Sequence, residues 1–235
     1  MQEQDIKSLA KQFWQQGYLV LEDFFEDSLM QEMHKAILTH FGQDPDFSHN
    51  QEFISKSATE VIPWFPQREG HILFDQVENH TALCELSSEI LGKWQSQYSM
   101  VMFSKAGTKG QAWHQDCPPE DKTQFNMNRL VYTMDINDET GGKVIIRPKT
   151  HLNGELSQGP VDEDFDDQVV LCPKRGTLVL LHGHCWHRIT PIKGEYRVST
   201  NYRCAPKTAA DDITDICVYR NMRYQFSTNQ VVQER

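Results

Sequence analysis

At 235 residues the chain is long enough to bury one substantial core and falls in the range where a β-barrel or sandwich runs as a single domain. Apolar residues make up 38% and charged residues 24%, the balance of a globular chain rather than a disordered one. A formal net charge of −10 argues against a nucleic-acid partner, which needs clustered Lys and Arg to displace condensed counterions, and points to a small molecule instead.

In chain order, Asp5 precedes a helical stripe of Ile6, Leu9, Ala10, Phe13 and Trp14, with Gly17 as a stop, so an amphipathic helix is expected with Asp5 as its N-cap. YLVLEDFF reads as a short strand. Asp27-Ser28 opens a second helix carrying Leu29, Met33, Ile37 and Phe41 before Gly42. Residues 43 to 80, rich in Asp, Asn, Pro and His, lack a clear period and read as a long irregular loop with short strands. A third helix is expected over 81 to 96. Beyond it the hydrophobic period falls to two: 97–103, 129–136, 143–147, 168–171, 177–182 and 196–203 are short runs of β-branched and aromatic residues between turn formers. Helices followed by short strands predict an α+β, mainly β chain: an antiparallel jelly-roll barrel with N-terminal helices packed on one sheet. The expected layout is one domain over 1–235, with a helical part to about 96, a β-core over about 97–204 and an extension from 205.

No apolar run approaches the roughly 18 residues that span a bilayer, and MQEQDIKSLAKQ is too polar for a secretion signal, so a cytosolic protein with no membrane partner is expected. Cys84, Cys117, Cys172, Cys185, Cys204 and Cys217 form no CxxC pair and read as reduced thiols. A monomer and a symmetric homodimer both accord with the composition.

The chemistry concentrates in WHQDCPP, residues 113 to 119. Positions two apart on a strand share a face, so His114 and Asp116 can converge on one point. With one further histidine they would form the two-His-one-carboxylate face that iron(II) accepts while leaving open positions. The candidates for that histidine are His182, His184 and His187. Ten residues after His187 stands Arg197, whose rigid guanidinium fork suits a carboxylate, and Ser199 lies on the same face.

WHQD at 113–116, GGKVIIRPKTH at 141–151 and GTLVLLHGHCWH followed by Arg197 together resemble the phytanoyl-CoA dioxygenase family of iron(II)- and 2-oxoglutarate-dependent dioxygenases. The helix–GYLVLEDFF–helix opening is similar too, and the likeness runs from about residue 5 to 204. It implies a double-stranded β-helix. It implies His114, Asp116 and His187 as iron ligands and catalytic centre, Arg197 on the far carboxylate of 2-oxoglutarate, and Ser199, Tyr132 and Gln115 as further cosubstrate contacts, with dioxygen as the third reactant. Because Asp116 is present where related halogenases carry a small residue, hydroxylation with release of succinate and CO2 is favoured. Trp113, Gln111 and Trp186 are placed to support the ligands, His182 fits a strand position upstream of His187, and Arg147 and Lys149 are expected near the barrel mouth.

Two other readings use the same residues. One is a zinc hydrolase or isomerase built on His182, His184 and His187, with Cys185 able to join; the other is a barrel that binds without turnover. Lys105, Arg129, Arg147 and Arg203 read as solvated charges that could alternatively meet an acidic substrate. VDEDFDDQ (161–168) reads as a solvated loop, His151 as a turn or packing histidine, and 60–74, with Trp64, Phe65 and Arg68, as a candidate lid.

Overall fold

Two antiparallel sheets carry the architecture, and the computed structural model describes residues 3–42, 49–226 and 230–234. In chain order the elements are α1 (Glu3–Gln16), β1 (Tyr18–Leu21), α2 (Asp27–Phe41), α3 (Gln51–Ser57), β2 (Ile62–Trp64), α4 (Asp75–Glu78), α5 (Thr81–Leu91) and β3 (Trp94–Lys105). They continue through β4 (Gln111–Gln115), β5 (Met127–Val131), β6 (Val144–Ile146), β7 (Val169–Leu171), β8 (Leu178–His182), β9 (His187–Ile189) and β10 (Tyr196–Pro206) to β11 (Ile216–Tyr219), β12 (Met222–Gln225) and β13 (Gln230–Glu234). One sheet runs β1-β8-β5-β10-β3-β2 and the other β13-β12-β11-β4-β9-β6-β7.

The period-two pattern explains the layering. On β10, Val198, Tyr202 and Cys204 face outward into the core shared with the helices, while Arg197, Ser199, Asn201 and Arg203 line the space between the sheets. Similarly Leu178 and Leu180 of β8 face the helices, and Val179 and Leu181 face inward. Phe13 of α1, Met30, Met33 and Ile37 of α2, and Leu83 and Leu86 of α5 cover the six-stranded sheet as expected. Between the sheets Leu130, Val179 and Leu181 meet Val144, Ile146 and Ile189. The seven-stranded sheet has no helical cover over Trp113, Ile145 and Trp186; Leu156 and Phe165 pack there instead. The acidic run is the exposed loop expected between strands, and its carboxylates also reach arginines of this sheet. Asp164 pairs with Arg188 at 2.6 Å, Glu163 with Arg220 at 2.6 Å and Asp167 with Arg147 at 2.8 Å, and Trp113 Nε1 donates to the Glu163 carbonyl.

Several boundaries move for local reasons. α1 starts at Glu3, so Asp5 sits in its first turn, where a carboxylate favours the positive end of the helix dipole, rather than capping it. Gly17 ends α1 with φ +83°, and a Cβ there would come within 2.5 Å of His151 Nδ1. Part of the expected loop at 43–80 is ordered: Asn50 caps α3 by accepting from the Phe53 amide at 2.7 Å, while residues 43–48 lie outside the described residues. α5 stops at Leu91 because Gly92 (φ +68°) turns the chain into β3, five residues before the expected end. The expected strand at 129–136 shortens to β5. The β-core does not end at 204: β10 continues to Pro206, and β11 pairs with β4, bringing β11, β12 and β13 into the second sheet. All six cysteines are free thiols, and among the described residues no helix is long and apolar enough to cross a membrane.

Candidate active site

β4 and β9 are antiparallel neighbours, and their register sets His114 directly opposite His187. The two rings lie 4.0 Å apart between centroids. Asp116, just past β4, completes a buried group in which one ligand atom from each residue lies within 4.8 Å of the others. Its carboxylate stands 3.2 Å from His187 Nε2 and 3.8 Å from His114 Nε2. Each imidazole is fixed from behind: Nδ1 of His114 is 2.8 Å from the Ala112 carbonyl, and Nδ1 of His187 is 2.9 Å from the Cys185 carbonyl. A carbonyl can only accept, so both Nδ1 atoms carry a proton and both Nε2 atoms face Asp116, the orientation a metal requires. Burial, reinforced by His187, lowers the His114 pKa to about 3, which keeps that ring neutral.

Asp116 is held from behind by a network built on Arg203, which the sequence presents as a solvated charge. Arg203, 4% exposed, sets Nη2 2.8 Å from Asp116 Oδ1 and donates Nε to Asn128 Oδ1 at 2.8 Å. Asn128 in turn donates to Asp116 Oδ2 at 2.7 Å, and Asn201 donates to the same Asn128 oxygen. Burial alone would raise the Asp116 pKa, but the Arg203 guanidinium outweighs it and holds the carboxyl well below its ordinary range. Arg203 is thus no solvated charge. Its signal was available, since 197, 199, 201 and 203 continue one strand face.

The other end of the same cavity is formed by Arg197 and Ser199, with Leu130, Val144 and Ile189 between them and the triad. Arg197 is 3% exposed, and its partners are neutral: Nη1 donates to the Ser199 hydroxyl at 2.7 Å, Nε donates to the Gly142 carbonyl at 3.2 Å, and the guanidinium carbon lies 5.8 Å from the Tyr132 ring. Among the described residues no Asp or Glu pairs with it. The Tyr132 hydroxyl is buried beside it. A buried cation whose partners are neutral acceptors calls for an anion. Gly142 makes room for it at φ +64°, where a Cβ would come within 2.7 Å of Arg197 Cγ. Gly142→Ala is expected to lower the unfolding free energy by about 2 kcal/mol, from left-handed strain and crowding, as read by urea denaturation.

The remaining sequence candidates fall elsewhere. Gln115 faces away, its amide donating to the Gly154 and His184 carbonyls and accepting from the Leu156 amide. Strand alternation dictates this for the middle residue of H-x-D. His182 and His184 do not assemble with His187: His182 stacks on Phe125 at 4.5 Å and sits near His151, and among the described residues the His114, Asp116 and His187 group is the one assembled cluster able to hold a metal. His151 packs in a turn with Nε2 at the Trp14 carbonyl. Trp113 and Trp186 pack on the outer face of the sheet rather than against the ligands. Arg147 lies with them over Phe165, and Lys149 is exposed. Arg129 is fully buried, paired with Glu78 and donating to the Tyr202 carbonyl. The expected lid is a wall: β2 pairs with β3, Trp64 is buried beneath α2 against His40, and Phe65 lines a neighbouring cavity. A contribution with no local sequence signal is Tyr219 of β11, whose ring stacks on His114 at 5.0 Å.

The phytanoyl-CoA dioxygenase family model matches residues 13–195. No curated protein matches the chain. Among solved structures, the nogalamycin-biosynthesis epimerase SnoN in complex with Fe3+, alpha ketoglutarate and nogalamycin RO superposes with a TM-score of 0.68 at 15% identity, covering 93% of this chain and 87% of that one. HygX from Streptomyces hygroscopicus, with nickel and 2-oxoglutarate bound, gives 0.67 at 13% identity over 86% and 87%. The carbocyclase SnoK, also from nogalamycin biosynthesis, gives 0.65 at 12% identity over 91% and 86%. At such identities the superpositions speak for the fold, the double-stranded β-helix. The family model covers most of the chain, from α1 to the turn before Arg197, and the chain belongs to the phytanoyl-CoA dioxygenase family.

Proposed function

We propose that the protein is a cytosolic, non-haem iron(II)- and 2-oxoglutarate-dependent oxygenase that hydroxylates a small organic molecule and releases succinate and CO2. One observation carries the reading: a buried two-imidazole, one-carboxylate face shares a cavity with a buried guanidinium that has no carboxylate partner among the described residues. That donor set fits iron(II), and a molecule that chelates at one end and carries a carboxylate at the other would engage both ends of the cavity. Family membership and the iron, nickel and 2-oxoglutarate named for SnoN and HygX support it.

His114, Asp116 and His187 would hold the metal, which with 2-oxoglutarate and dioxygen supplies the oxidant for C–H cleavage. The chain's own residues do the rest. The Ala112 and Cys185 carbonyls aim the two imidazoles, and Arg203 and Asn128 fix the carboxylate plane. Arg197 and Ser199 take the distal carboxylate of 2-oxoglutarate, with the Tyr132 hydroxyl as a third donor. Leu130, Val144 and Ile189 exclude water, so these charges interact at low dielectric.

Arg197→Leu is expected to raise the KM for 2-oxoglutarate at least about tenfold, the order of one lost buried charge-assisted pair, while the metal still binds. Hydroxylation is set apart from epimerisation and cyclisation by turnover under 18O2 after a succinate-release screen identifies a substrate. The expected result is iron-dependent succinate with one labelled oxygen in the product. Succinate formation with an unlabelled isomeric or dehydrogenated product would replace hydroxylation by an epimerase or cyclase outcome at the same centre.

A further inference from the structure

Next to the triad is a cavity of about 300 Å³, the liquid volume of roughly ten waters, bounded by α3, β2, β3, β4, β11 and β12. It shares Met102 and Gln111 with the cavity of the triad, and its Tyr219 is the ring stacked on His114. Its walls are Phe53, Phe65, Met100, Tyr219, Tyr224 and Phe226, with no Lys, Arg, Asp or Glu in the lining. Phe53 and Tyr224 brace one another at 4.0 Å, so the aromatic wall is prebuilt. A smaller annex sharing His49 and Val61 offers one cation, Lys105, and one anion, Glu60, which cancel. Arg68, over the Phe65 ring at 4.2 Å, is exposed.

The polar group between the two cavities is Gln111. β4 is irregular between Gln111 and His114, and this shift brings both side chains, three residues apart, onto one side of the strand. An amide there can donate to or accept from one group on a bound molecule while that molecule's apolar body fills the aromatic cavity.

Resting on the oxygenase reading above, we propose that the substrate is an uncharged, predominantly apolar molecule that fits this cavity and presents one hydrogen-bonding group to Gln111, and that coenzyme A thioesters are not accepted. A thioester of that kind brings several phosphate charges, and among the described residues this cavity and its annex hold no surplus cation to receive them.

Isothermal titration calorimetry on the full chain, with and without Mn(II) and 2-oxoglutarate, tests this with 2-naphthol as the neutral probe and octanoyl-CoA as the charged one. The expected result is saturable 2-naphthol binding, at least tenfold tighter than octanoyl-CoA. Met100→Glu and Val61→Asp, either sufficing if the other fails to fold, weaken it at least tenfold while Mn(II) affinity stays within twofold of the unsubstituted protein. Octanoyl-CoA binding as tight as 2-naphthol, absent 2-naphthol binding, or weakening below tenfold in the folded variants overturns the proposal. Failure of Mn(II) to bind would count against the metal reading instead, and the metal-free titrations still decide what the cavity accepts.

Discussion

His187→Ala is expected to abolish iron-dependent 2-oxoglutarate turnover while leaving the protein folded. Losing a residue that merely orients a metal ligand typically costs about 10- to 100-fold, so removing a ligand itself should cost roughly a thousandfold or more. The fold survives because His187 joins β9 to β4 and β6 through its backbone, which alanine retains. Asp116 also keeps Arg203 and Asn128, so no uncompensated carboxylate is left behind. Turnover measured beside far-ultraviolet circular dichroism separates the two effects. Activity within tenfold of the unsubstituted protein would contradict the ligand assignment.

Arg203→Leu should act on stability first. It leaves the Asp116 carboxylate buried with its main cation gone, a class of change that costs about 3–5 kcal/mol in the metal-free protein. A bound divalent cation supplies the missing counter-charge, so Mn(II) should recover a large part of that loss, as read by urea denaturation with and without the metal. The pH dependence follows from sign. In the unsubstituted protein the Asp116 pKa is depressed, so its contribution to stability is present above the unfolded carboxyl value of about 4 and disappears as pH falls through the folded one. In the variant, burial raises that pKa instead, and the carboxyl destabilises the fold above about pH 4. The stability gap between the two proteins should therefore narrow as pH is lowered from 7 towards 4. A gap independent of both Mn(II) and pH would show that Arg203 only packs.

Much of the site was legible because it follows strand alternation. His114 with Asp116, and Arg197 with Ser199, are two-residue steps on β4 and β10, and the antiparallel register of β4 with β9 brings in His187. The same rule, carried further along β10, reaches Asn201 and Arg203. Arg203 reads as solvated because long basic side chains usually are, and that expectation outweighs the period, while Asn201 belongs to no motif. The rule also sends Gln115 to the opposite face, against the role that resemblance suggested. Asn128 and Tyr219 were not legible at all. Asn128 sits in a run with no motif, and Tyr219 reaches His114 only because β11 pairs with β4 across more than a hundred residues. In the fold, α3 was hidden in a polar stretch whose one cue was the Asn50 cap. The outer cover of the second sheet was hidden because an exposed acidic run gives no sign of the arginines, Arg147, Arg188 and Arg220, that its carboxylates reach.

The most direct measurement is an anaerobic titration of the full chain with Fe(II) in the presence of 2-oxoglutarate, following the weak visible absorption that arises when a 2-oxo acid chelates ferrous iron. The expected result is saturation at one iron per chain, abolished in Asp116→Ala and His187→Ala and shifted to higher 2-oxoglutarate concentration in Arg197→Leu. Saturation unchanged in those three variants, or no chelate band in the unsubstituted protein, would contradict a ferrous centre at these residues.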